Sequence, residues 1–356
     1  MADGPFLKGN TTWYPRVDDR PADEHPVCAG KAAESIECHS IHCINDAFSK
    51  NPTYMTLHAI GIDLGGTRIK GVAINPLGKL LDNRYTPTSD GKGQPWKAAI
   101  RETVEALKPA IGDTAFVVGI SAPGIPSADN RSISFMPGRL QGLEGFNWSE
   151  YLGHPTYVAN DAIAAMAAEA RYGEARGLKH AILLTLGTGV GGAILMNGEI
   201  YQGAFQKAGH LGHMSVDHAG ERDICNLPGS LEDAIGNCSI GKRSLGKYDY
   251  THQLMDDYRK GDPFASWLWL DSVRKLAVSI AGLTNILSPE KVILGGGITE
   301  AGDDLFKPLA SFLSLYEWRA GGHAATVVRA HFGDLAGAIG AAGFGLMKQD
   351  NFSVDG

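Results

Sequence analysis

The sequence predicts an α/β protein built as two similar lobes around one cleft. Strands and helical segments alternate from Leu57 to about Met347. Ile62-Asp63-Leu64-Gly65-Gly66-Thr67 closes a buried strand and leads into a hairpin, and Leu184-Thr185-Leu186-Gly187-Thr188-Gly189 does the same about 120 residues later. With 356 residues, 44% of them hydrophobic, the chain is long enough for two ordinary domains, each with its own core.

LHAIGIDLGGTRIKGVAINPLGKLLDNRYT reads as three strands joined by a Gly turn and a Pro-Leu-Gly turn. WKAAIRETVEALKPAIG spaces its apolar residues three and four apart, as a helix does, and AFVVGISAPG is a buried strand. TYVANDAIAAMAAEARYG gives a strand, an Asn cap and an Ala-rich helix stopped by Gly173. HAILLTLGTGVGGAILMNGEIYQG is a strand, the second Gly turn and a further hairpin turning on Asn197-Gly198. The helix SWLWLDSVRKLAVSIAGLTNIL, the strand KVILGGG and the helices DDLFKPLASFLSL and LAGAIGAAGFGLM complete the body. Residues 1–54 are polar and lack periodicity, so they are expected to form a flexible N-terminal extension or appended leader, with Met55 a natural alternative start. The cluster Cys38, His39, His42 and Cys43 there is too tight to close a tetrahedron.

A net charge of −7 argues against a nucleic-acid partner. No apolar run reaches the roughly 20 residues of a membrane span, and the N-terminus lacks a signal layout, so the cytoplasm is expected. Five cysteines, three of them before residue 55, do not make a disulfide framework. A homodimer is the expected assembly.

Gly187, Gly189 and Gly192 satisfy G-x-G-x-x-G, but strand rather than helix follows, so a dinucleotide fingerprint fails on context. Neither glycine run ends in Gly-Lys-Ser/Thr, which excludes a Walker loop. A tight hairpin can still bind phosphate, because its successive backbone N–H groups face one way and glycine permits both positive φ and close approach. Thr67 and Thr188 add hydroxyls. Asp63, last on its strand, is poised to hold magnesium through water. Lys70 can reach phosphate or can simply face outward on an alternating strand.

AIGIDLGGTRIKGVAI, GISAPG, NDAIAAMAAEARYG, LLTLGTGVGGAIL, GHLGH and ILGGG stand in the order seen in ROK-family sugar kinases, and the chain resembles that family from about Leu57 to about Met347. The resemblance implies two ribonuclease-H-like (actin-like ATPase) lobes around a central cleft where ATP, with Mg2+, meets a sugar. Residues 55–158 plus 335–350 would form the smaller lobe and 159–334 the larger. Asn160-Asp161 matches the family's catalytic pair: Asp161 would be the general base and Asn160 would hold the neighbouring sugar hydroxyl. Without the resemblance the pair reads as a helix cap. The helix dipole is expected to keep Asp161 ionised and so to weaken it as a base. Gly65, Gly66, Thr67, Lys70, Gly187, Thr188 and Gly189 would face phosphate, and Gly296 and Gly297, after Gly295, would line the adenosine site.

The family pairs Glu-x-Gly-His with Cys-x-Cys-Gly-x-x-Gly-Cys-x-Glu, where the histidine and three cysteines hold structural zinc. Those glutamates and that histidine contact the sugar. Here the first glutamate is His210, the histidine is His213, the cysteine positions are Asp223, Cys225 and Ser230, and the last glutamate is Glu232. Structural zinc normally takes four protein ligands. His213, Asp223 and Cys225 are the remaining candidates, so zinc is doubtful and hydrogen bonds with apolar packing are expected to order the loop; His218 faces solvent. Replacing a two-acceptor carboxylate by a neutral imidazole changes which hydroxyls are read, so the substrate is expected to be a hexose-like sugar other than plain glucose.

The expected reaction is transfer of the γ-phosphate to a primary hydroxyl, the 6-OH of a hexose. Polyphosphate as donor and a non-catalytic sugar sensor of the same fold remain as alternatives. A repressor of this fold would need a basic helix-turn-helix that residues 1–54 do not suggest.

Overall fold

Two five-stranded sheets repeat one strand order in the computed structural model, which describes residues 57–352 except Lys92. In the first, β1 (His58–Leu64), β2 (Arg68–Ile74) and β3 (Leu80–Pro87) run antiparallel, and β4 (Phe116–Ala122) and β7 (Thr156–Asn160) add in parallel on the far side of β1. Between them lie α1 (Pro95–Ile111), the short pair β5 (Ile125–Pro126) and β6 (Ile133–Phe135), and α2 (Trp148–Leu152). Helix α3 (Asp161–Tyr172) leads to the second sheet. There β8 (Ala181–Leu186), β9 (Val190–Met196) and β10 (Glu199–Tyr201) are antiparallel, and β11 (Lys291–Gly295) and β12 (Thr326–Arg329) extend β8 in parallel. The order β3-β2-β1-β4-β7 is repeated as β10-β9-β8-β11-β12. The short echo in the sequence is therefore a repeat of whole sheets.

Helices α4 (Leu231–Ile235), α5 (Ile240–Arg243), α6 (Thr251–Arg259) and α7 (Pro263–Leu287) fill the span between β10 and β11. Helix α8 (Asp303–Tyr316) joins β11 to β12, and α9 (Ala336–Phe352) returns to the first sheet. Residues 1–54, including the cluster at Cys38 to Cys43, and Met55 lie outside the described residues.

Period-two alternation divides each strand between two cores. Ile60, Ile62, Val118, Ile120 and Val158 pack beneath Trp96, Ile100, Val104 and Leu107 of α1. Their neighbours Ala59, Val117, Tyr157 and Ala159 pack against α3 and α9. Helix α3 serves both sheets: Ile163, Ala164, Ala167 and Ala168 belong to the first, while Ala162 and Met166 pack with Leu183, Ala193 and Ile293 of the second. A boundary drawn at residue 159 thus gives α3 to one lobe although its apolar surface is shared.

Small residues permit this crowding. A side chain at Gly61 would strike the Ala338 carbonyl, one at Gly119 the Ala341 carbonyl, and one at Gly340 the Ala164 carbonyl. Helix α9 therefore rests on bare strand backbone and on α3. The turn at Asn197-Gly198 has φ of 55° and 84°, the paired positive values of a type I′ hairpin.

The Gly340 contact separates two kinds of helical glycine. Gly340→Ala should cost about 1–3 kcal/mol, whereas Gly282→Ala, in open space on α7, should stabilise by about 0.5–1 kcal/mol. Urea unfolding of the two variants checks this, and equal effects would contradict the packing described.

Candidate active site

The two glycine hairpins and the start of α3 converge. Asp63 ends the run of β1 residues paired to β4, opposite Ser121, whose hydroxyl donates to Asp63 Oδ1 at 3.0 Å. Its Oδ2 lies 3.8 Å from Lys70 Nζ. Burial, aided by the charges of Asp161 and Asp334, raises the Asp63 pKa against the pull of Lys70 and Ser121. Asp161 stands next to the second hairpin as well: a Cβ placed at Gly191, two residues past Gly189, would lie 3.3 Å from the methyl of Ala162.

Asn160 caps α3, accepting the Ala162 N–H at 3.0 Å while its amide donates to the Gly124 carbonyl at 3.1 Å. Asp161 is open to solvent, yet the protein mass around it raises its pKa by desolvation, outweighing the hydrogen bonds from Ala162, its own backbone and Asn160. The helix dipole was one influence on Asp161; the desolvating protein mass around it outweighs that influence and shifts its pKa upward.

The hairpin glycines answer to one of the two expected constraints. None of Gly65, Gly66, Gly187 and Gly189 takes positive φ; at Gly65, Gly66 and Gly189 close approach disfavours a side chain, whereas Gly187 has open space around it. A Cβ at Gly65 would press on the Arg68 carbonyl, at Gly66 on the Arg139 guanidinium, and at Gly189 on the Glu232 carboxylate. The first hairpin is tied to β3 and the residue after it, since Thr88 donates its hydroxyl to the Gly65 carbonyl at 2.8 Å and its N–H to the Thr67 carbonyl at 3.0 Å. Thr67 and Thr188 are both exposed at their hairpin tips. Gly296, with φ of 86°, lies against the Leu186 backbone, so the loop of Gly296 and Gly297 adjoins the second hairpin.

Lys70 is neither free nor merely outward. Its ammonium donates to Asp334 Oδ1 and to the Asp334 carbonyl, each at 2.8 Å. Tyr85 donates to Asp334 Oδ2 at 3.2 Å, and the Lys70 hydrogen bond above all holds the Asp334 pKa low. Glu169, 1% exposed on α3, anchors the approach to Asp334 by accepting the N–H groups of Glu174, His331 and Phe332 at 2.7, 2.9 and 3.2 Å. Sequence reasoning missed Asp334, Glu169 and Arg139, because each acts through a partner far away in the chain.

In the loop from Ala208, His210 is accessible, and burial followed by the charges of His213 and Lys207 lowers its pKa, favouring the neutral ring. Glu232 accepts the Val190 N–H through Oε2 at 2.9 Å. The ligand atoms of His213, Asp223 and Cys225 lie within 4.8 Å of one another. They do not complete a four-ligand zinc site. Asp223 already accepts from the Cys225 and Leu227 N–H groups through Oδ1, both at 2.9 Å, and is 2.8 Å from His213 Nδ1 through Oδ2. At the fourth position, Ser230 is spent capping α4, accepting the Asp233 N–H at 3.2 Å. The Asp223 carboxylate gathers the loop as a central ion would. His218 is exposed, as expected.

The ROK family model matches residues 59–349. The chain belongs to the ROK family. It is a sugar kinase of that family, similar to a glucokinase of Thermotoga maritima with 32% identity over 80% of this chain and 96% of the relative. The ROK hexokinase of Thermus thermophilus superposes with a TM-score of 0.74 at 28% identity, covering 83% of this chain and 99% of that one. A ROK glucokinase of Streptomyces griseus, solved with glucose and AMPPNP, gives 0.68 at 25% identity, covering 82% and 99%. The actin-like architecture expected from the sequence is thus established.

Because a carboxylate gathers that loop, dialysis of the kinase against a chelator should leave its thermal midpoint unchanged, whereas Asp223→Ala should lower it by several degrees. A midpoint that falls on chelation and recovers with zinc would contradict this reading.

Proposed function

We propose that this enzyme transfers the γ-phosphate of ATP, with Mg2+, to the primary hydroxyl of a hexose-like sugar, with Asp161 as general base. The observation that carries the reading is Asp161 itself: accessible, raised in pKa, and standing between two glycine hairpins. The hairpin amides and the hydroxyls of Thr67 and Thr188 would cradle the phosphates. Lys70 would balance charge beside them. Gly296 and Gly297 would border the adenosine.

Asp63 suits a magnesium ion held through water, since Ser121 takes one oxygen and Lys70 stands near the other. The ion would neutralise charge on the transferring group. Asn160 and Glu232 would orient the sugar, with His210 and His213 at its edge. Asp161 would take the proton of the attacking hydroxyl as the new P–O bond forms and ADP leaves. A lobe of residues 55–158 plus 335–350 and another of 159–334 would close around the reactants and exclude water.

His210 in place of a carboxylate supports a substrate other than plain glucose, because a neutral imidazole offers one donor and one acceptor. Asp161, a base that a sensor does not need, favours catalysis over sensing. ATP as donor is supported by the AMPPNP-bound relative. A homodimer is supported by Trp267, Leu315 and Trp318, which are 62%, 74% and 74% exposed, and the cytoplasm by its supply of ATP.

A coupled assay of ADP release over hexoses, amino sugars and inositols tests the function. Sugar-dependent release is expected, with glucose not the best acceptor; glucose as the clear optimum would sink the selectivity idea. Asp161→Asn should lower kcat by about 10²–10⁴-fold and leave sugar affinity nearly unchanged.

The pH dependence follows from the direction of the Asp161 shift. A base works ionised, so kcat/KM should be flat at high pH and fall as pH drops through a midpoint above the ordinary aspartate value of about 3.9. A midpoint at or below that value would remove Asp161 as the base described.

A further inference from the structure

A peptide group holds its C=O and N–H on opposite sides, so fixing one end aims the other. In the loop Gly187–Gly189 three successive peptides are fixed from the same side. The Gly187 carbonyl accepts the Asn237 N–H at 3.0 Å, and the Thr188 carbonyl accepts the Cys238 N–H at 2.7 Å. In the third peptide, the Gly189 carbonyl accepts the Gly187 N–H at 3.0 Å and the Val190 N–H donates to Glu232 Oε2 at 2.9 Å. The N–H groups of Thr188 and Gly189 share peptides with the two carbonyls drawn toward Asn237 and Cys238, so they point the other way. Gly189 admits no side chain because the Glu232 carboxylate lies against it.

The clamp is itself braced. Arg243 donates to the Gly236 carbonyl at 3.1 Å, to Ser239 Oγ at 2.9 Å and to Ser272 Oγ at 2.7 Å. Asn237 Oδ1 accepts the Thr251 N–H at 2.8 Å. Helix α4 and the turn after it therefore present a rigid face to the hairpin.

We infer that Glu232 is a positioning residue for the phosphate hairpin: by holding the Val190 N–H it sets the loop whose Thr188 and Gly189 amides receive the nucleotide's phosphates. One carboxylate then serves both substrates, Oε2 fixing the hairpin and Oε1 remaining for the sugar. This rests on the kinase reading of the cleft.

Calorimetric titration of the full chain with AMPPNP and Mg2+, in the absence of sugar, separates this role from simple sugar contact. Glu232→Ala should weaken AMPPNP binding about tenfold, the loss of one charge-assisted hydrogen bond. Glu232→Gln, whose amide oxygen still accepts from Val190, should stay within about threefold of the unaltered protein by the same conversion. Nucleotide affinity unchanged in Glu232→Ala would overturn the inference, since a residue that only touches sugar is silent without sugar. Should Glu232→Ala fail to fold, Glu232→Asp, one methylene shorter, carries the same test with the same two outcomes. An unaltered protein that binds no AMPPNP would overturn the kinase reading, and this inference with it.

Discussion

The contact of α9 with the bare backbone of β1 and β4 is the constraint on which the site depends. Gly61 and Gly119 remove the side chains that would hold the helix off the sheet, and Gly340 lets it approach α3. One consequence is chemical. Gly337, in the first turn of α9, lies against the Asp63 carboxylate, and Asp334 just before it meets Lys70. The last described helix therefore adjoins the site begun by the first described strand. The same packing fixes α3, whose N-terminus carries Asp161.

Electrostatics follow from that geometry. Asp63, Asp161 and Asp334 feel one another's charge or that of Lys70, and Lys70 is held between Asp334 at 2.8 Å and Asp63 at 3.8 Å. Desolvation raises both Asp63 and Asp161, whereas Asp334, hydrogen-bonded to Lys70, is lowered. Carboxylates of similar intrinsic acidity are thus pushed apart by environment. The upward shift of Asp161 fits the proton acceptor proposed for it, and the lowered Asp334 keeps its pairing with Lys70.

Much of this was legible in the sequence because it is local. Each hairpin is a buried strand, a glycine turn and another strand in continuous sequence, and Asn160-Asp161 is a cap followed by an Ala-rich helix. The ROK resemblance rests on the same local words. What was illegible is long-range: Asp334 acts on a lysine 264 positions away, and Glu169 holds amides 162 and 163 positions on. Helix polarity at Asp161 can be read from sequence, whereas the protein mass that other elements bring around it cannot. Of the two reasons for glycine in a phosphate hairpin, positive φ and close approach, it is close approach that operates at Gly65, Gly66 and Gly189. His210, Asp223 and Ser230 could be placed in the loop by spacing. The hydrogen bonds that the Asp223 carboxylate accepts across the loop became visible only in the structure.

The central claim is that two duplicated hairpins, one on each sheet, grip a single phosphate chain. Backbone amide NMR shifts on titration with AMPPNP and Mg2+ test it most directly. Gly66, Thr67, Thr188 and Gly189 should all shift and saturate with one dissociation constant. A response confined to one hairpin, or two different saturation curves, would contradict the account.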